Sequence, residues 1–174
     1  MDILLLIMEA DAEASSEFRW ASFQAAAHIT ACVQSMHTVA DMLAHTLYYA
    51  YGMNLDKEKA VDAHRVGIRT VSQRLPEGKV KDQLKLLVEH ESFVYLSALT
   101  NHSKHRSMVK TSYSLDVTGE AATSHGLKFS GFEYGDQEFP ERWVRPTLEA
   151  EYNRQAVLVV SIGQALNAAL SADA

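Results

Sequence analysis

Residues Phe23–Gly52 read FQAAAHITACVQSMHTVADMLAHTLYYAYG. Within them Phe23, Ala26, Thr30, Val33, His37, Ala40, Ala44, Leu47 and Tyr51 recur at alternating steps of three and four. That is the period of one helix face. No proline interrupts the run, and Gly52 stands where a residue with positive φ closes a helix. The spacing predicts a first helix over about Ser16–Tyr51, on the order of 50 Å long if unbroken. A small domain does not need that length, so a break near Ala25–Ala27 or a contact with a second copy of the chain is expected.

The same period extends outward from this helix. Val61, His64, Ile68, Val71 and Leu75 predict a second helix over about Asp56–Leu75, capped by Asn54 or Asp56 and stopped by Pro76-Glu77-Gly78. Val80, Leu84, Leu87, Glu91, Val94, Ala98, Asn101 and His105 share one seam of a third helix over about Lys79–Arg106. A last helix begins near Pro146, a residue that suits a first turn. Its face is Leu148, Tyr152, Gln155, Val159, Ile162, Leu166 and Ala169, and the all-apolar Ala156–Val160 run marks it as central. Before it the period changes to two at Tyr113, Leu115 and Val117, then at Leu127 and Phe129, then less strictly at Phe132 and Tyr134. With turn signals at Thr118-Gly119-Glu120 and Gly135-Asp136, this predicts a β-hairpin or small three-stranded sheet. The expected fold class is mainly α: a single domain over residues 1–174, four helices, and a β insertion at about 111–145 before the last of them.

The chain has 174 residues, 47% of them apolar, enough for a core without staples. A formal charge of −6 argues against a protein that coats DNA generally, since phosphate affinity comes from Lys and Arg. The single cysteine, Cys32, rules out an intramolecular disulfide and points to the cytoplasm, with the thiol expected to be buried and inert. The apolar Met1–Met8 segment lacks a preceding basic residue and is followed by Glu9, Asp11 and Glu13. It reads as a strand or helix start packed on the domain or on a second subunit, not as a secretory signal. No stretch approaches the roughly 20 apolar residues of a membrane span, so no membrane association is expected.

The richest chemistry is Asn101-His102-Ser103-Lys104-His105-Arg106, at the end of the third helix. On the first helix His37, Asp41 and His45 follow at i, i+4 and i+8, on one side. Polar residues at seam positions need partners. The economical arrangement sets the two stripes face to face, Asp41 meeting Lys104, His105 or Arg106 with His37 nearby. Such a pocket can bind RNA or a nucleotide phosphate through His37, His102, Lys104 and Arg106. It also holds the parts for metal-independent RNA cleavage: His105 as base, Asn101 with Lys104 or Arg106 stabilising charge, and Asp41 orienting.

Two other readings compete. In one the cluster is structural, because a helix C-terminus favours each cation by about 0.3–1 kcal/mol and Asp41 then forms one buried ion pair. In the other His37-Asp41-His45, joined by Glu91 or His105, binds a metal. The Glu-x-x-His spacing of di-iron bundles is absent. No cofactor is expected, as the chain has no Gly-rich phosphate loop, no Gly-x-Ser-x-Gly elbow and no Cys pair. The scattered His28, His64, His90 and His125 read as surface or satisfied core residues, and Trp20 and Trp143 as packing residues, with Trp20 also a candidate dimer contact.

Met36-His37-Thr38-Val39-Ala40-Asp41, the Asn101–Arg106 helix end and Gly131-Phe132-Glu133-Tyr134 in the late β insertion resemble a group of bacterial helical-bundle proteins similar to the HEPN superfamily. The resemblance spans about residues 18–170. It implies a four-helix up-and-down bundle, a homodimer, and ribonuclease activity of the kind found in toxin and phage-defence systems. Active members carry an Arg, a polar residue and a His four to six positions after the Arg on one helix. Here Asn101 and His105 match that pattern by type, but Leu99, Thr100 and Asn101 occupy the positions of the Arg, and Arg106 follows His105 instead.

Overall fold

The computed structural model describes residues 12–106, 109–119 and 125–172, with side chains from Ser16 onward and excluding those of His105 and Arg106. The expectation for Met1–Met8 falls outside these residues. The first helix, α1 (Ala12–Ala50), runs unbroken for 39 residues, about 58 Å. It ends as expected: Gly52 takes φ +61°, its N–H reaches the Tyr49 carbonyl, and the Met53 N–H reaches the Tyr48 carbonyl. This pair of bonds satisfies the last carbonyls of the helix. The first buried side chain described on α1 is Val33, so its N-terminal third stands clear of the core. Cys32 is exposed, against the expectation of a buried thiol.

The second helix is far shorter than its seam suggested. Only a 3-10 turn (Ala63–Arg65) and α2 (Ile68–Arg74) form. The Asp56 side chain accepts from the Glu58 N–H, which caps a single turn. The Val61 N–H then donates to the Tyr48 hydroxyl at 3.1 Å rather than continuing a helix. The third helix is two: α3 (Lys79–Val88) and α4 (Glu91–Arg106). The break at Glu89–His90 resets the helical phase. Val80, Leu84 and Leu87 are buried as expected, but α4 buries Phe93, Tyr95, Leu96 and Leu99, while Glu91 and Val94 are exposed. The β insertion comprises β1 (Thr111–Leu115), β2 (His125–Phe129), β3 (Phe132–Tyr134), β4 (Gln137–Phe139) and β5 (Arg142–Trp143). Strands β1, β2 and β5 make an antiparallel sheet in the order β1-β2-β5, and β3 pairs with β4 as a separate hairpin. Val117 lies beyond β1 and is 91% exposed. The last helix, α5 (Val144–Ala172), carries Pro146 in its first turn.

The fold is therefore mainly helical, with five α-helices among the described residues and a small antiparallel sheet before the last. Two apolar cores share α1. Ala44, Leu47, Val71, Leu84, Leu87 and Ile162 join α1 to α2, α3 and α5. Val33, Met36, Tyr95, Leu96, Phe129 and Val144 join it to α4, the sheet and the start of α5. A fully buried leucine such as Leu84 contributes roughly 1.5–3 kcal/mol.

Helix α5 packs on α1, α3, α4 and the sheet and reaches both cores, through Ile162 in one and Val144 in the other. On α5 the expected central run is inverted: Ala156, Val157 and Val160 face solvent, while Glu151 and Gln155 are buried. By length and a mean hydropathy of 1.4, α5 passes the test for a helix able to cross a membrane, with 22% of that apolar window buried. This corrects the expectation that no stretch comes close to one.

Candidate functional site

Helix α1 presents His37 toward α4. The imidazole Nε2 lies 3.3 Å from Ser97 Oγ, and the ring stacks on Phe93 with centroids 5.8 Å apart. Both partners come from the face of α4 that the break at Glu89–His90 sets, which is why the sequence seam passed them over. His37 is half-buried. Burial lowers its pKa from the usual 6.5; the Asp41 carboxylate opposes that shift and the Lys104 ammonium reinforces it. The imidazole is therefore neutral at pH 7 and able to accept a proton.

The expected buried pocket takes a different form. Asp41 and Lys104 are both exposed, and no ion pair within 4.0 Å joins them. They act on His37 through charge, one from each helix. Asn101 is half-buried one turn beyond Ser97. His102 turns to the β3–β4 hairpin, where its Nδ1 lies 3.1 Å from the Glu133 carbonyl and its ring sits 5.1 Å from Phe132. A carbonyl only accepts, so Nδ1 donates, and in the neutral ring Nε2 keeps the lone pair. Lys104, His105 and Arg106 end α4 together, and the side-chain placement expected for His105 and Arg106 lies outside the described residues. His45, the third member of the α1 stripe, is exposed. Among the described residues no group of three or more His, Cys, Asp and Glu is placed to hold a metal ion.

Among the described residues, the one deeply buried carboxylate lies elsewhere. Glu151 is 1% exposed. It accepts from Arg154 Nε at 2.7 Å and Nη2 at 2.6 Å, and from Gln155 Nε2 at 2.8 Å. The same guanidinium donates to the Leu86 and Leu87 carbonyls, both at 2.9 Å. Arg154 thus caps the C-terminal end of α3 from α5, held by a carboxylate that pairs with no other cation among the described residues. In the sequence this pair looks like an ordinary i, i+3 surface pair.

Ser97 and Phe93 also face a cleft of about 790 Å³ between α2, α3, α4 and the β3–β4 hairpin. Arg69, Lys81 and Lys85 line it together with Val94, Tyr134 and Phe139. His37 and the cleft therefore share a wall. The cleft escaped the sequence reading because its residues come from four separate segments with no common spacing. No family model, no curated protein and no solved structure matches this chain.

Proposed function

We propose that this chain is an HEPN-like protein, an up-and-down helical bundle that binds RNA or a nucleotide phosphate at the His37, Asn101 and Lys104 face of α1 and α4. The observation that carries the reading is His37 itself: a half-buried imidazole, kept neutral, beside the Ser97 hydroxyl and between charges of opposite sign. A neutral imidazole accepts a 2′-hydroxyl proton. The 2′-oxygen then attacks the adjacent phosphorus, the 5′-oxygen leaves, and a 2′,3′-cyclic phosphate results, with Lys104 and the cations of the α4 end opposite the developing charge. His105 and Arg106 remain members of the site by their place in the sequence. In this reading the protein is a cytoplasmic homodimer, supported by its single cysteine and by a long α1 whose first half carries no buried side chain among those described.

Pure protein incubated with mixed RNA in chelator tests the catalytic form of the proposal. Cleavage to cyclic-phosphate ends that is lost in both His37→Ala and His105→Ala supports it. RNA left equally intact by wild type and both variants removes it.

A second reading, a non-catalytic interaction protein, has its own support in the solvent-facing Tyr152, Val157 and Val160 of α5. In that reading RNA binds without being cleaved, or does not bind. The cluster is then structural, with His37 bonding Ser97 and His102 meeting the Glu133 carbonyl, although Asp41 and Lys104 are exposed and share no ion pair.

A further inference from the structure

We propose that the cleft between α2, α3, α4 and the β3–β4 hairpin is a binding site for a small carboxylate with a planar aromatic body. The inference uses different charged side chains from the RNA reading, although Phe93 and Ser97 border both, and either can fail without the other. At about 790 Å³ the cleft has the size of pockets that enclose small organic ligands. Its lining combines two chemistries. Phe93 lies at 5% exposure, while Val94 and Tyr134 remain 40% and 41% exposed, so apolar and aromatic surface stands uncovered in the cleft. Arg69 from α2 and Lys81 and Lys85 from α3 line the same cleft.

Charge selects the headgroup. Lys81 is paired with Glu77 and donates to the Leu75 carbonyl at 3.4 Å. Glu89 adds one negative charge to the lining, and the Glu77 carboxylate also feels the Lys85 ammonium. The Arg69 and Lys85 side chains make no hydrogen bond and no ion pair within 4.0 Å among the described residues. The lining therefore keeps about one uncompensated positive charge, matched to a monoanion and not to a phosphate dianion. A guanidinium takes a carboxylate through two parallel N–H bonds, and Tyr134 and Phe139 supply faces for a flat ring. The position of Arg69 and Lys85 in a chain of net charge −6 makes this a local cationic site within an acidic surface.

Calorimetric titration of the full chain with indole-3-acetate, indole-3-acetamide, acetate and adenosine 5′-monophosphate tests the inference. We expect saturable binding of indole-3-acetate, weakened at least about tenfold by loss of its charge in the amide or of its ring in acetate. The Arg69→Ala/Lys85→Ala variant should lose at least about tenfold in affinity with little change in melting temperature, since neither side chain makes a described hydrogen bond or ion pair within 4.0 Å. Tyr134→Ala should weaken binding, and Lys104→Ala should leave it unchanged. The inference is overturned if indole-3-acetate does not saturate, if the double variant binds it equally well, or if the amide or the nucleotide binds as tightly.

Discussion

His37 Nε2 on α1 lies 3.3 Å from Ser97 Oγ on α4, the one side-chain hydrogen bond described between these helices. It joins the long helix to α4 and places a titratable ring between Asp41 and Lys104. Because the ring is only half-buried, it remains reachable from solvent.

The first expectation concerns pH. In the folded chain the His37 pKa lies below 6.5, chiefly through burial. The unfolded chain then binds more protons in the window below 6.5. Stability from this residue is complete above that value and is lost as pH falls through the folded pKa. Urea melts between pH 7.5 and 5 should show a decline that His37→Asn reduces. An identical decline in the variant would place its origin elsewhere.

Two charge substitutions should move that pKa in opposite directions. Asp41 raises it and Lys104 lowers it. Asp41→Asn should therefore depress the His37 titration further, and Lys104→Met should lift it. Proton NMR of the ring resonances reads both, and a shift of the same sign in the two variants would mean that His37 does not stand between them.

Removing Arg154 should be costly. Arg154→Met leaves the 1%-exposed Glu151 carboxylate without its cation and the Leu86 and Leu87 carbonyls without their donor. A loss of roughly 3–5 kcal/mol in chemical denaturation is expected. The Glu151→Gln/Arg154→Met variant should recover part of it. A loss under about 1 kcal/mol, the range of exposed pairs, would contradict a buried charge.

Tyr95 offers the opposite test. Its hydroxyl is buried without a partner among the described residues, burial pushes its pKa up to about 12, and Arg142 lies 4.3 Å over its ring. Tyr95→Phe keeps the ring and that cation contact and removes the stranded group. Stability should hold or rise by about 1 kcal/mol, and a fall of that size would reveal a partner for the hydroxyl.

Much of the fold was legible where local chemistry decides it. The α1 seam, Gly52 as its terminator, the alternation at Tyr113–Leu115 and Leu127–Phe129, and the start of α5 beside Pro146 all depend on residues close in sequence. The break at Glu89–His90 was not legible, because neither residue breaks a helix by propensity; Arg154, reaching from α5 to the carbonyls of α3, helps to end it there. That break set the wrong phase for the α4 seam. Asn101 was expected inward and is half-buried, Glu91 is exposed, and Ser97, the partner of His37, went unnoticed. The inverted burial of α5 has the same kind of origin: Glu151 is inside because a distant helix end needs Arg154, which no window of neighbouring residues records.

The central claim is that the face around His37 and Lys104 holds phosphate. Its most direct test is fluorescence anisotropy of a labelled single-stranded RNA titrated with the full chain in chelator at low salt. Saturable binding that weakens as salt rises, and falls about tenfold or more in Lys104→Ala/His37→Ala, is the predicted result. No binding at low salt, or the same affinity in the double variant, would contradict it.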